Sequence, residues 1–167
     1  MPQDRSDASS YQRAIVAWLF GLWALVLIMA MVGAATRLTG SGLSIVKWRP
    51  VTGIVPPLDA AAWQREFEAY QSSPQFREVN HWMSLADFKR IFLWEYVHRL
   101  LGRVIGFACL LPWLYFLARR AFDRRTALRT GSLLVLGGMQ GAVGWFMVMS
   151  GLVDEPRVSH LRLALHL

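Results

Sequence analysis

The fold is decided by residues 91–117, which have the sequence IFLWEYVHRLLGRVIGFACLLPWLYFL. This stretch is mostly apolar and is longer than the roughly 20 residues that an α-helix needs to cross a bilayer. It nevertheless contains a carboxylate, an imidazole and a guanidinium, at Glu95, His98 and Arg99. Ionisable side chains are costly at membrane depth, so a segment that keeps them is expected to use them. On a helix Glu95 is a neighbour of both other residues, and its carboxylate can orient or neutralise whatever the histidine binds.

Composition and the distribution of apolar residues indicate a membrane protein. Of the 167 residues, 54% are hydrophobic and 17% are charged. Two further apolar runs, residues 14–35 and 130–152, contain no charged side chain and are long enough to span a bilayer. A fourth run starts at residue 158, and the sequence ends within it at residue 167. We therefore predict an all-α integral membrane protein with a four-helix transmembrane bundle, and we expect the sequence to be part of a longer chain.

The topology follows from the loop between the second and third runs. Residues 118–129 contain five Arg and one Asp, and such a basic loop is expected on the cytoplasmic side. Much of the net charge of +7 then comes from arginines that set the orientation in the membrane. This origin of the charge argues against a nucleic-acid partner. The predicted order is a cytoplasmic N-terminus (1–13), TM1 (14–35), a long extracytoplasmic loop (36–90), TM2 (91–117), a basic cytoplasmic loop (118–129), TM3 (130–152), a short extracytoplasmic loop (153–157) and the start of TM4 (158–167).

The long loop carries signals of ordered structure. Three prolines within residues 48–57 prevent a long helix there. Trp63, Phe67 and Tyr70 follow the spacing of a short amphipathic helix, which would pack against the protein or, less favourably, rest on the membrane surface. Residues 84–87 resemble a capping box, which would start the helix of TM2 before it enters the bilayer.

Two histidines lie at matched depths in their segments. Counted from residues 91 and 158, His98 and His166 each lie about 11 to 12 Å along a helix, and both helices run from outside to inside. Their imidazoles can therefore meet between two parallel helices in the outer leaflet. A histidine from each of two facing helices is a natural pair of axial ligands for heme in a helical bundle. We predict that His98 and His166 bind heme iron.

Glycines accompany these segments. Gly102 and Gly106 follow His98 by one and two helical turns and are expected to leave room for a flat macrocycle or a close helix. On TM3 we interpret the small residues and Gln140 as helix packing with one interhelical hydrogen bond; those small residues are Gly137, Gly141 and Gly144.

Other polar residues leave alternatives open. Arg99 and Arg103 have three candidate partners, namely Glu95, heme propionates and backbone carbonyls, and Arg99 is therefore a candidate heme-binding residue. His81 and His160 are interpreted as ordinary interfacial residues. Because Cys109 is the only cysteine, neither an internal disulfide nor a multi-thiolate metal site is available.

The residues alone fit three classes of protein. One is a heme enzyme. The second is a cytochrome b type electron carrier, in which His98 and His166 hold a permanent heme. The third is a non-catalytic membrane assembly or transport protein, in which Glu95 and Arg99 form a buried ion pair.

Five ordered blocks give a more specific indication. They are GAATRLTGSGLS (33–44), the block from Trp48 to Pro57, the block from Phe88 through EYVHR to Arg103, GGMQGAVGW (137–145) and RLALHL (162–167). In their order and spacing the chain resembles the N-terminal half of the heme A synthase family. These membrane oxidoreductases convert heme O into heme A for cytochrome oxidase.

The resemblance implies an architecture and a set of roles. The fold would be an eight-helix two-fold repeat of two four-helix halves, each with a pair of heme-facing histidines. His98 and His166 would bind the substrate heme, and Glu95 would be the catalytic acidic residue beside them. Heme b would lie in the other half. Some members carry a cysteine pair in the first outside loop, and this sequence has none there.

The implied chemistry oxidises a ring methyl to a formyl group by two successive hydroxylations, followed by loss of water. Glu95 could carry a proton in these steps. Two routes stay open: one histidine leaves the iron, or electrons are removed and water then attacks. Besides heme O and the lipid bilayer, the implied partners are a heme O synthase and an electron donor, and an oligomer is an open possibility. The expected location is the bacterial cytoplasmic membrane; a mitochondrial inner membrane is the less favoured alternative, since no Arg- and Ser-rich transit segment precedes TM1.

Overall fold

The computed structural model of the chain describes residues 3–49, 52–152 and 160–166. All regular structure in these ranges is helical: α1 (Gln3–Leu38), α2 (Ala60–Gln71), α3 (Leu85–Ala118), α4 (Arg124–Gly151) and α5 (His160–His166), with short helical turns at Thr52–Ile54 and Phe76–Asn80. Three helical segments are long and apolar enough to cross a membrane: Ser10–Leu38, Leu85–Ala118 and Arg124–Met149. The predicted all-α membrane class is thus confirmed at this level. The predicted loop 153–157 lies outside the described residues.

Side-chain caps explain why two helices begin before the apolar segments do. At the start of α3, Asp87 Oδ2 accepts hydrogen bonds from the backbone N–H and the hydroxyl of Ser84, at 3.1 and 2.6 Å. The Asp87 N–H in turn donates to Ser84 Oγ at 3.3 Å, so the predicted capping box is confirmed. At the start of α4, Asp123 Oδ1 accepts from the Thr126 N–H at 2.9 Å. As a result, much of the basic stretch interpreted as a loop is the first part of α4.

The chain divides into two compact units, which comprise residues 1–30 with 101–139 and residues 31–100 with 140–167. In the first unit, tryptophans join neighbouring helices. Trp18 Nε1 on α1 donates to the carbonyl of Ala108 on α3 at 2.7 Å, and its ring lies 5.7 Å from that of Phe116. Trp113 Nε1 on α3 donates to the carbonyl of Ala127 on α4 at 3.4 Å.

The second unit has an aromatic core formed by α2 and the start of α3. Its buried residues are Phe67, Tyr70, Phe88, Ile91 and Phe92. The apolar face of the amphipathic helix therefore packs against the protein, the position that the sequence favoured. The helix begins at a defined point because Asp59 caps it, with its side chain accepting from the Ala62 N–H at 2.6 Å.

A buried hydroxyl connects this core to the residues after α1. Tyr70 is fully buried; its hydroxyl donates to Gln75 Oε1 at 3.0 Å and accepts from Asn80 Nδ2 at 2.7 Å. Gln75 Nε2 donates to the carbonyl of Gly40 at 3.0 Å. Burial raises the pKa of Tyr70 above its ordinary value, so the phenol stays a neutral donor over the physiological pH range.

Removing this hydroxyl is expected to destabilise the second unit. In Tyr70→Phe, a part-buried donor of Asn80 and a buried acceptor of Gln75 lose their partner, at a cost of about 1 to 3 kcal/mol. The measurement is the thermal unfolding midpoint of the detergent-solubilised protein. Tyr115→Phe is the control, because that side chain is 52% exposed; equal midpoints for the two variants would contradict the prediction.

Candidate functional site

The two predicted histidines lie together in the second unit. His98 is on α3 and His166 ends α5. Their ring centroids are 6.3 Å apart, and the ring planes meet at 70°. The Nδ1 atom of each ring is buried and has no hydrogen-bond partner. Because a buried polar atom without a partner is unfavourable, these nitrogens are candidates for binding a ligand.

The separation of the two rings matches that of two imidazoles bound to one metal. A metal–imidazole bond is about 2 Å long, and a ring nitrogen lies about 1 Å from its centroid, so two imidazoles on one metal have centroids about 6 Å apart. Within residues 3–49, 52–152 and 160–166, no group of three or more His, Cys, Asp and Glu side chains is placed to hold a metal ion. Two imidazoles alone match a heme, whose macrocycle supplies the other ligands to iron.

A hydrogen bond from α4 fixes the end of α5 that carries His166. Gln140 Nε2 on α4 donates to the carbonyl of His166 at 3.1 Å, so the interhelical hydrogen bond predicted for Gln140 is confirmed. Gly102 allows α1 to lie close to α3, because a Cβ at this position would lie 3.2 Å from the Met29 side chain on α1. A Cβ at Gly106 would meet nothing within 4 Å.

Glu95 is buried, with 2% of its surface exposed, and its carboxylate has several donors. Oε2 accepts from the Ser44 hydroxyl at 2.7 Å and from the Ile45 N–H at 2.8 Å. Oε1 pairs with Arg99 Nη2 at 2.5 Å. Arg99 Nη2 also donates to the carbonyl of Ile45 at 3.1 Å. Of the partners left open for Arg99, the structure gives Glu95 and a backbone carbonyl.

These bonds fasten the loop between α1 and α2 to α3. Loop residue Trp48 lies beside the same group, with the Arg99 guanidinium 5.7 Å from the centroid of its ring. The Trp48 ring is also 6.2 Å from that of Trp145 on α4. Buried ion pairs are tolerated where their remaining donors and acceptors are also satisfied, as they are here. The arrangement can therefore hold the loop against α3 and fix the carboxylate one turn before His98.

The sequence did not predict the loop partners of Glu95. Ser44 and Ile45 are separated from it by 51 and 50 residues, and a serine in a Gly/Ser/Thr turn carries no signal of a distant carboxylate. The spacing of Glu95 and Arg99 did carry a signal, since an i, i+4 pair on one helix is a local feature. His81 and His160, interpreted as interfacial, are both exposed.

Comparison with known proteins shows a consistent pattern. A family model described as cytochrome oxidase assembly protein (COX15-CtaA) matches residues 16–167. The chain is 52% identical over 167 residues to the heme A synthase of Nitrosospira multiformis, covering all of this chain and 47% of that protein. It is 56% identical over 162 residues to the heme A synthase of Bradyrhizobium diazoefficiens, covering 97% of this chain and 45% of the relative. The chain thus spans about half the length of the curated relatives it matches. No solved structure matches it.

Proposed function

The chain belongs to the COX15-CtaA family of cytochrome oxidase assembly proteins, and from this premise we propose that it binds the substrate heme of a heme A synthase. The reaction oxidises a ring methyl of heme O to a formyl group, giving heme A. Support comes from relatives about half identical to this chain that are named heme A synthase. Those names do not favour the electron-carrier alternative.

One observation carries the assignment of the heme site. It is the buried pair His98 and His166, with ring centroids 6.3 Å apart and an unpaired Nδ1 on each ring. In the proposal these two residues bind the iron of heme O. The bound heme supplies both the methyl group that is oxidised and the redox-active iron. Apolar side chains of the surrounding helices would exclude water from a bound macrocycle.

Glu95 is the proposed acid–base group of the site. It lies one helical turn before His98, and its Oε2 is 2.7 Å from the Ser44 hydroxyl, across which a proton can pass. Arg99 is the proposed cation beside the heme propionates. Its pairing with Glu95 supports this role, because the guanidinium is already fixed at the level of the site and has further N–H donors.

The wider architecture belongs to the same proposal. The four apolar segments form a transmembrane bundle, and a second, similar half completes an eight-helix repeat that holds heme b. The N-terminus and the basic start of α4 lie in the cytoplasm of a bacterium, and the histidines lie near the outer face of its inner membrane. Exposed arginines at positions 119, 120, 124, 125 and 129 support this orientation. The proposed partners are a heme O synthase and an electron donor.

Heme analysis of whole cells tests the proposal. The full-length protein is expressed in cells that make heme O and lack their own heme A synthase, and the hemes are extracted and identified by mass spectrometry. We expect heme A in these cells and only heme O and heme b in cells with an empty vector. Unmodified heme b in the purified protein, with no heme A in the cells, would replace the proposal with electron carriage.

A further inference from the structure

Each imidazole of the pair lies against a glycine of another helix. A Cβ built on Gly33 of α1 would lie 3.2 Å from Cε1 and 3.6 Å from Nδ1 of His98. A Cβ built on Gly144 of α4 would lie 2.8 Å from Cε1 of His166 and 3.3 Å from both of its ring nitrogens. The rings therefore occupy space that any other residue at these two positions would fill.

The second contact is the tighter one, and the backbone of His166 is held by a hydrogen bond. Real Cβ atoms almost never approach another heavy atom as closely as 2.8 Å, so a methyl group at position 144 would displace the ring. Moving α5 away instead would break the hydrogen bond from Gln140, one helical turn from Gly144, to the carbonyl of His166. At position 33 a methyl group would require a smaller shift of His98.

Among the other glycines of these helices, Gly131 and Gly151 of α4 also lie against side chains, with a Cβ 3.2 Å from Trp113 and 2.8 Å from Leu43, but neither faces a histidine. A Cβ at Gly141, Gly137 or Gly138 of α4, or at Gly21 of α1, would meet nothing within 4 Å. Small residues that serve helix association are expected to face a neighbouring backbone. Gly33 and Gly144 face histidine rings, and both rings carry the unpaired buried nitrogens described above.

We propose that Gly33 and Gly144 are positioning residues for the two heme-binding imidazoles. Each leaves the volume in which one ring lies, so that the rings keep the separation that one iron between them requires. The inference rests on the proposed heme binding. The sequence did not indicate this role for either glycine, and Gly144 was interpreted as a helix-packing residue.

Heme spectra of the purified full-length protein, reconstituted with heme O, provide the test. The absorption that disappears in His166→Ala defines the heme of this site. For Gly144→Ala we expect that absorption to change from six-coordinate to five-coordinate heme and heme affinity to fall by about tenfold or more, as a methyl forced into a packed site displaces its neighbours. Gly141→Ala, on the same helix, is expected to match the parent. Gly33→Ala should give a smaller shift, with Gly21→Ala as its control.

A second design separates ring displacement from misfolding. In His166→Gly, added imidazole is expected to restore the six-coordinate spectrum by entering the vacated space. In the double variant His166→Gly/Gly144→Ala the methyl group competes for that space, so restoration should need about tenfold more imidazole or fail. His166→Gly/Gly141→Ala should behave like His166→Gly.

The outcomes are distinct. A parental spectrum and heme affinity in Gly144→Ala, or equal imidazole restoration in the two double variants, would overturn the positioning role and leave the heme proposal intact. If the parent and His166→Ala have the same spectrum, the pair binds no heme, and both the proposed function and this inference fail.

Discussion

Replacing His166 by alanine is expected to abolish heme A formation and to remove the heme of this site from the purified protein. In the proposed site, this variant would leave the iron with His98 as its only protein ligand. Mutating a residue that only hydrogen-bonds to a metal ligand typically lowers metal affinity or activity by about 10- to 100-fold. Loss of a direct ligand should therefore lower them by more than about 100-fold. The measurements are heme A content by mass spectrometry and the ratio of heme to protein. His98→Ala should give a loss of the same order.

The same helix supplies a control for this experiment. His160 is the first residue of α5, its side chain is exposed, and it does not belong to the histidine pair. His160→Ala should therefore retain heme and heme A formation. Heme A at parental levels in His166→Ala, in protein of normal abundance, would refute the assignment of this ligand.

The second large effect is expected at Glu95, where two substitutions can separate the structural role of the side chain from its proposed role in proton transfer. Glu95→Ala removes the carboxylate that pairs with Arg99 and accepts from the Ser44 hydroxyl and the Ile45 N–H. Removing one partner of a buried ion pair costs about 3 to 5 kcal/mol. We expect a large fall in the thermal unfolding midpoint and in the amount of protein in the membrane.

Glu95→Gln tests the proposed acid–base role. Its amide oxygen can still accept from the loop donors, so the unfolding midpoint and heme content should be closer to those of the parent than in Glu95→Ala. It cannot exchange a proton, and general acid–base catalysis typically contributes about 100- to 10,000-fold. We therefore expect heme A formation to fall by about 100-fold or more in folded, heme-containing protein. Glu66→Gln is the control, because Glu66 pairs at 3.3 Å with a half-exposed Arg49.

The activity of Glu95→Gln decides between two roles. Near-parental heme A formation would mean that Glu95 only positions the loop. Loss of activity together with loss of heme would assign the defect to binding. Only loss of activity with heme retained supports proton transfer.

The sequence predicted the features that depend on local spacing. The apolar runs gave the long helices, and the i, i+4 spacing of Glu95 and Arg99 gave their ion pair. Counting residues along the two helices also placed His98 and His166 at the same depth. In the structure their ring centroids are 6.3 Å apart. Each of these predictions needs only the geometry of a single helix, either its rise of about 1.5 Å per residue or its repeat of about 3.6 residues per turn.

Features that depend on packing between distant segments were not predictable in this way. Ser44 reaches Glu95 only because the loop folds back onto α3. The meaning of a glycine depends on what another helix places opposite it: Gly106 has open space beside it, whereas Gly144 has an imidazole. The early start of α4 depends on the single cap at Asp123, within a stretch whose arginines suggested a loop.

The Glu95–Arg99 contact also bears on the biosynthesis of the protein. A single ionised side chain at the centre of an inserting helix costs about 2.5 to 3.5 kcal/mol on translocon-derived scales. These two opposite charges lie on adjacent turns of α3 and can neutralise each other as soon as that helix forms. The segment can therefore partition into the lipid phase before any other helix or the loop reaches it. Glu95→Lys, which places two like charges there, should lower the fraction of α3 that integrates in a glycosylation-based insertion assay.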